Sequence, residues 1–242
     1  MKRKKKKLHN RNVLVIGDVH EPATHPGYMA FCKHLRNSFQ TNETVIIGDI
    51  CDNQAISFHA SNPECPGPSD EYELTAEKIA KWHKEFPDAY VTIGNHDARV
   101  IRLAESMNIP SRYLRDYSEV WNTPTWKWVD EIFIDDVMYF HGINRSGKTP
   151  AFNAMNDMLC SVVMGHCHSS AGVLWRANTH KRTFGMDTGC GIDVDAFQFA
   201  YGKHMRARPI LAAGVVLCGT PQHFIMPCGR GEKFHKARFM KG

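Results

Sequence analysis

Five short polar clusters stand out in this chain: Asp18-x-His20, Asp49-x-x-Asp52, Asn95-His96-Asp97, His141-Gly142 and Gly165-His166-x-His168. Carboxylate oxygens together with imidazoles suit Mn, Fe, Zn or Ni, and one carboxylate can bridge two such ions. Two divalent ions roughly 3.5–4 Å apart can share a hydroxide nucleophile and hold phosphoryl oxygens while charge moves to a leaving group. That is what hydrolysis of an anionic phosphate ester demands, because the cations offset repulsion between two anions. Asp18 and His20 lie two residues apart, so an extended backbone there predicts both side chains on one face.

The elements that must carry these clusters are legible as apolar runs. Val13–Ile16 precedes Gly17-Asp18, Thr44–Ile47 precedes Gly48-Asp49, and Tyr90–Ile93 precedes Gly94-Asn95. Short β-branched runs bounded by Gly read as buried strands, and the stretch from Tyr72 to Phe86 has helical periodicity, with Leu74, Ile79 and Trp82 on one side. The resulting β-α-β-α-β order predicts a mostly parallel sheet whose ligands bind beyond the carboxyl ends of the strands. Ser57–Asp70 reads as a loop, and Arg112–Trp128 as aromatic and irregular. Beyond Glu131 a hairpin is predicted around Asp135-Asp136, then a helix over Ala151–Leu159. Strands follow at 162–164, 173–176, 183–186, 210–217 and 223–226, which suggests a second sheet packed on the first.

Position separates the chemically placed histidines from the remainder of the fourteen. His25, His34, His59, His83, His180, His204, His223 and His235 lack an acidic or glycine context and read as structural or solvated, although His59 sits on a loop that could reach a pocket. Cys160, His166, Cys167 and His168 lack the paired spacing of a zinc knuckle, and a strand-like stretch there turns Cys167 away from its neighbours. Trp121, Trp126 and Trp128 have a single interleaved base, Lys127, and read as packing residues rather than a base-stacking platform.

Composition bounds the rest. The 242 residues, 43% of them hydrophobic, can bury a full core. The formal charge of +5 resides in the run Lys2, Arg3, Lys4, Lys5, Lys6 and Lys7; without it 24 basic residues face 25 acidic ones. Residues 1–10 therefore read as a basic, solvated tail able to touch phosphate backbones such as nucleic acid, and 11–242 as one domain. Eight scattered cysteines without a CxxC pair predict a reduced, cytoplasmic setting. No apolar stretch approaches the roughly twenty residues of a membrane span.

The ordered set Gly-Asp-x-His, Gly-Asp-x-x-Asp, Gly-Asn-His-Asp, His-Gly and Gly-His-x-His resembles the calcineurin-like metallophosphoesterase superfamily from about Val13 to about Gly191, and Asp187-Thr188-Gly189-Cys190 resembles the turn that follows its histidine pair. The resemblance implies an α/β fold with a two-sheet β-sandwich flanked by helices. It also implies two divalent ions, with Mn2+ foremost and Fe, Zn, Ni or Mg as alternatives. Asp18, His20, Asp49 and His168 would hold one ion, and Asp49, Asn95, His141 and His166 the other, Asp49 being the bridge. His96 would stand beside the bound phosphate as charge stabiliser or proton donor, and Asp52 would orient it and raise its basicity. The reaction implied is hydrolysis of a phosphomonoester or phosphodiester by metal-bound hydroxide. Protein serine/threonine phosphatases carry Arg after the second Asp, where this chain has Asn53, so a protein phosphatase is disfavoured. Arg99 is a candidate anion contact or a surface residue, and Asp97 in place of Glu keeps the charge. Two further readings stand beside the enzyme: a nuclease of the same superfamily, and a partner-binding scaffold that keeps the fold, against which the intact ligand set and His96 argue.

Overall fold

The computed structural model describes residues 11–58, 65–193 and 208–227. The basic run at 2–7, His59, His204, His235 and Cys228 lie outside the described residues. The three apolar runs form β1 (Asn12–Ile16), β2 (Glu43–Ile46) and β3 (Ala89–Thr92), joined by α1 (Tyr28–Phe39) and α2 (Pro68–Glu85). These strands are parallel, as crossover helices require. After α3 (Arg99–Ser106) and the one-turn α4 (Tyr117–Val120), β4 (Lys127–Val129) extends the parallel set beyond β3.

The expected hairpin consists of β5 (Glu131–Ile134) and β6 (Val137–Phe140), paired antiparallel. Asp135 and Asp136 turn it with φ of 51° and 64°, the left-handed pair of a type I′ turn. Then come α5 (Pro150–Met158), β7 (Ser161–Met164), β8 (Ala171–Ala177), β9 (Arg182–Thr188), β10 (Ala212–Leu217) and β11 (Thr220–Ile225). One sheet has the order β11-β10-β1-β2-β3-β4, the other β5-β6-β7-β9-β8. The expectation that the whole second half forms a second sheet is thereby corrected, since β10 and β11 return to the first, with β10 antiparallel to β1. The reason is edge protection: β1 is apolar on both faces and would otherwise expose its unpaired N–H and C=O groups.

Alternation along β1 divides the core. Val13 and Val15 join Val45 and Ile47 against Val163, Phe184 and Met186 of the other sheet. Leu14 and Ile16 face α1 and α2 through Phe31, Leu35, Ile79 and Trp82. On the outer face of the second sheet, Met138, Val162 and Met164 pack on Ala151, Ala154 and Met155 of α5. Two sheets thus face each other with helices outside both, an α/β sandwich. No helix of the described residues is long and apolar enough to cross a membrane.

Local differences from the sequence reading have physical causes. α2 begins at Pro68, within the stretch read as loop, because proline suits the first helical turn. Its inward face is Glu71, Thr75, Ile79 and Trp82, while Leu74 is exposed, contrary to expectation. Glu71 is inward because its carboxylate accepts the N–H groups of Gln54 and Ala55, each at 2.7 Å. The stretch read as irregular holds α4 and β4. Its Trp121 and Trp126 are buried, with the Trp126 indole donating to the Phe86 carbonyl at 2.7 Å, so they pack as expected.

Asp187 of β9 accepts the Ala151 N–H in the first turn of α5, with Oδ1 at 3.2 Å. Burial pushes its carboxyl up to about 6. The folded state therefore binds more protons than the unfolded chain, whose aspartates titrate near about 3.9, and stability falls as pH rises between these values. Asp187→Asn keeps the acceptor and removes the charge. Denaturant melts are expected to show a gain of about 1–2 kcal/mol near pH 8, after allowance for solvent screening, and little gain near pH 4.

Candidate metal centre

All five clusters lie at carboxyl ends of strands: after β1, β2, β3, β6 and β7. Asp18 leaves β1 in a bridge to Cys190. The extended geometry expected of Asp18-x-His20 is corrected, since His20 has φ 55°. The N–H groups of Val19 and His20 both donate to the Asp49 carbonyl, at 3.2 and 2.7 Å, and this turns the chain back toward the second cluster. Cys167 also occupies a turn rather than a strand, following His166 at φ 67°. Its thiol faces the Arg145 carbonyl, and no cysteine joins a ligand group among the described residues.

Two glycines permit the close approach. A Cβ on Gly94 would lie 2.0 Å from Asp49 Oδ1 and 2.4 Å from the Asp49 nitrogen, and one on Gly165 would lie 1.9 Å from Asp18 Oδ1. For Gly94 the obstructing backbone cannot swing aside as a side chain could. Gly94→Ala is therefore expected to cost roughly 1–3 kcal/mol in a denaturant melt and to weaken divalent-ion binding by displacing Asp49.

The structure brings Asp18, His20, Asp49 and His168 into one group, and Asp49, His141 and His166 into another, and it also sets His20 with Asp52 and His96, the candidate ligand atoms within each group lying within 4.8 Å of one another. Asp49 belongs to both groups. Its Oδ2 lies 3.5 Å from His20 Nε2 and 3.2 Å from His141 Nε2, while Oδ1 accepts the His96 N–H at 2.8 Å. His168 Nε2 is 3.1 Å from Asp18 Oδ2 and 3.1 Å from His20 Nε2. Asn95 turns its Oδ1 to His141 Nε2 at 3.0 Å, which joins it to the second group.

The imidazoles are oriented from behind. His141 Nδ1 lies 2.7 Å from the Ile47 carbonyl, which only accepts, so Nδ1 carries hydrogen and Nε2 is left for a ligand. His20 Nδ1 meets Asp52 Oδ1 at 3.0 Å with the same result. Burial opposes charge on His141, but Asp49 and Asp18 carry its imidazole up to about 10. Burial would raise the Asp49 carboxyl, yet His141, His96 and His20 hold it well below the usual carboxylate range. The acidic pair thus asks for positive charge at His141 Nε2, which a proton or a divalent cation supplies. His20 differs: burial first, then repulsion from His96, lowers it to about 4, leaving a neutral donor. Asp18 Oδ1 is buried with no hydrogen-bond partner, and the Nε2 atoms of His20 and His168 face each other. An oxygen without a donor beside converging nitrogens is the donor set a cation requires, so these residues fit a divalent ion.

His96 stands against the first group, its ring centroid 4.5 Å from that of His20. Its Nδ1 lies 2.7 Å from the Asp52 carbonyl and 3.0 Å from Asp52 Oδ1, leaving Nε2 for a substrate. Burial works against its charged form, but Asp49 and Asp52 outweigh burial and raise its pKa. Two neighbours do more than the sequence showed. Asp97 accepts the N–H groups of Ile50, Cys51 and Gly94, at 3.0, 3.3 and 2.9 Å, and so clamps the loop after β2 to the loop after β3. Arg99 is buried rather than on the surface. The one available signal was that Asp97 follows Asn95-His96 directly and that Arg99 opens the helix two residues later. Among the described residues, His25, His34, His83, His180 and His223 belong to no ligand group.

Pairs of carboxylates and imidazoles at the strand ends of an α/β sandwich define a metallophosphoesterase architecture. The chain belongs to the calcineurin-like phosphoesterase family, whose model matches residues 11–197. No curated protein matches the sequence. Among solved structures, vacuolar protein sorting 29 from Cryptosporidium parvum aligns at 12% identity over 90% of this chain and 97% of its own, with a TM-score of 0.47. A metallophosphoesterase from Sphaerobacter thermophilus aligns at 14% identity over 89% of this chain and 88% of its own, with a TM-score of 0.42. Nuclease MPE from Pseudomonas putida aligns at 15% identity over 88% of this chain and 86% of its own, with a TM-score of 0.39.

Proposed function

We propose that this chain is a hydrolase that uses two divalent ions, Mn2+ foremost, to cleave phosphomonoesters or phosphodiesters, with residues 11–242 as one domain. Asp18, His20, Asp49 and His168 would hold one ion, and Asp49, Asn95, His141 and His166 the other. When bound, the ions supply an activated water and neutralise charge on the phosphoryl oxygens. The observation that carries the reading is the placement of Asp49 Oδ2 between His20 Nε2 and His141 Nε2, at 3.5 and 3.2 Å.

The remaining chemistry belongs to the chain. His96, with Nδ1 directed to Asp52, presents Nε2 to the phosphoryl group or its departing oxygen and donates a proton there. Asp52 holds that imidazole and the His20 imidazole together, its Oδ1 3.0 Å from each Nδ1. Asp97 keeps the two loops in register. Seven free cysteines among the described residues support a reducing, cytoplasmic setting.

The test is hydrolysis of a chromogenic bis-aryl phosphodiester and an aryl monoester, followed by mono-, di- and cyclic nucleotides and oligonucleotides, with added Mn2+, Fe2+, Zn2+, Ni2+ or Mg2+. Metal-dependent turnover that a chelator stops is the expected result. Absence of turnover with every ion and substrate would overturn the reading in favour of a partner-binding scaffold.

A further inference from the structure

A buried guanidinium beside His96 forms no direct ion pair among the described residues. Arg99 opens α3 with only 8% of its surface exposed. Its Nη1 donates to the carbonyls of Asp52 and Asn53, at 2.7 and 2.8 Å, and its Nη2 approaches His96 Nε2 at 3.3 Å. The two carbonyls are neutral acceptors, and among the described residues no carboxylate forms an ion pair with it. Two acids lie nearby without pairing directly: Glu71, whose oxygens take backbone N–H groups, feels the Arg99 charge only at longer range, and Asp52 turns its Oδ1 to His20 and His96. Buried charges in folded proteins are paired or meet a ligand, because desolvation of an isolated ion is costly. This charge, held by carbonyls rather than by a direct ion pair, adjoins the ring nitrogen that would face the substrate.

We infer that Arg99 is the phosphate-gripping cation of this site: a non-bridging phosphoryl oxygen enters beside His96 Nε2 and accepts a hydrogen bond from Arg99 Nη2. The inference rests on the phosphoesterase reading and adds a binding residue to it. The guanidinium arrives from α3 and lies on the Asn53 carbonyl. Its two Nη1 bonds hold the planar head in place, so Nη2 is presented without further loss of side-chain freedom. A lysine, with one compact ammonium, cannot hold both carbonyls and the anion in the same way.

The probe is inorganic phosphate, measured by calorimetric titration of Mn2+-loaded protein and as a competitive inhibitor of aryl ester hydrolysis. Arg99→Met preserves most of the side-chain volume, and Arg99→Lys preserves the charge. Both are expected to keep the Mn2+ stoichiometry while weakening phosphate binding and raising KM about 10- to 100-fold, the loss of a charged hydrogen bond, with Lys the milder. A role confined to bracing the Asp52-Asn53 turn would lower the melting temperature and leave phosphate affinity within about twofold of wild type, and that result overturns the inference. If neither variant folds, crystals of the wild-type protein soaked with Mn2+ and phosphate decide. A phosphate oxygen on Arg99 Nη2 supports the inference, and a phosphate out of hydrogen-bond range of the guanidinium ends it. Titration needs no turnover, so phosphate bound through Arg99 by an inactive protein would count against the proposed activity alone.

Discussion

Asp49→Ala is expected to lower the metal-dependent hydrolysis rate by roughly 10³-fold or more, the scale of several kcal/mol of transition-state stabilisation. The expectation follows from the double duty of one side chain. Asp49 Oδ2 faces His20 and His141, one from each ligand group, and Oδ1 accepts the N–H of His96. On the proposed assignment, removing the carboxylate takes the shared ligand from both ion positions and the backbone anchor from His96 in one step. Asp49→Asn separates these losses, because the amide oxygen can still accept the His96 N–H but brings no negative charge between the ions. It should fold and melt close to wild type while binding the ions far more weakly. Calorimetric Mn2+ titration and initial rates on the bis-aryl diester check both variants. An Asp49→Asn protein that retains two tightly bound ions and most of its activity would remove the basis for the bridging role.

The second large effect is expected at His96. His96→Ala should reduce kcat by about 10²- to 10⁴-fold, the range for loss of a positioned proton donor, with Mn2+ stoichiometry unchanged. The split follows from geometry: Nδ1 is taken by Asp52, and Nε2 lies 3.3 Å from Arg99 Nη2. Asp52→Asn should fall in the same direction but less far, because Asp52 touches the reacting atoms only through His96, and its contact with His20 adds a modest loss of ion affinity. An ester whose leaving group is already a stable anion needs little protonation, so the His96→Ala defect should shrink for a nitrophenyl ester relative to an alkyl ester. An equal defect on both esters would assign His96 to charge stabilisation rather than proton donation. Loss of an ion in His96→Ala would place it among the ligands instead.

Four of the five strand-end clusters were readable because each follows a short apolar run closed by glycine, a local signal that needs no tertiary information, while His141 follows Tyr139-Phe140 directly. The α/β order of the first half followed from the same runs. The return of β10 to the edge of β1 was not readable, since Ala212–Leu217 is a short apolar strand whose partner is chosen by which edge lacks cover. Periodicity misled at Leu74 because Glu71 and Thr75 occupy the inward face, where Glu71 is satisfied by backbone N–H groups of a loop far away in sequence. At the site, residue types predicted the grouping of acids and imidazoles, but not how the backbone delivers them. His20, Asp49 and His166 all have positive φ, at 55°, 44° and 67°, where the sequence suggested an extended approach at Asp18-x-His20. Those conformations are stabilised by long-range bonds such as His20 N–H to the Asp49 carbonyl, which no local pattern encodes. The burial of Arg99 was hidden for the same reason, because its acceptors are carbonyls of another loop.

Anomalous diffraction from crystals soaked with Mn2+, collected at the manganese edge, tests the central claim most directly. The account predicts two peaks roughly 3.5–4 Å apart with Asp49 Oδ2 in contact with both, one bounded by Asp18, His20 and His168 and the other by Asn95, His141 and His166. A single peak, or two peaks of which Asp49 touches only one, would contradict it.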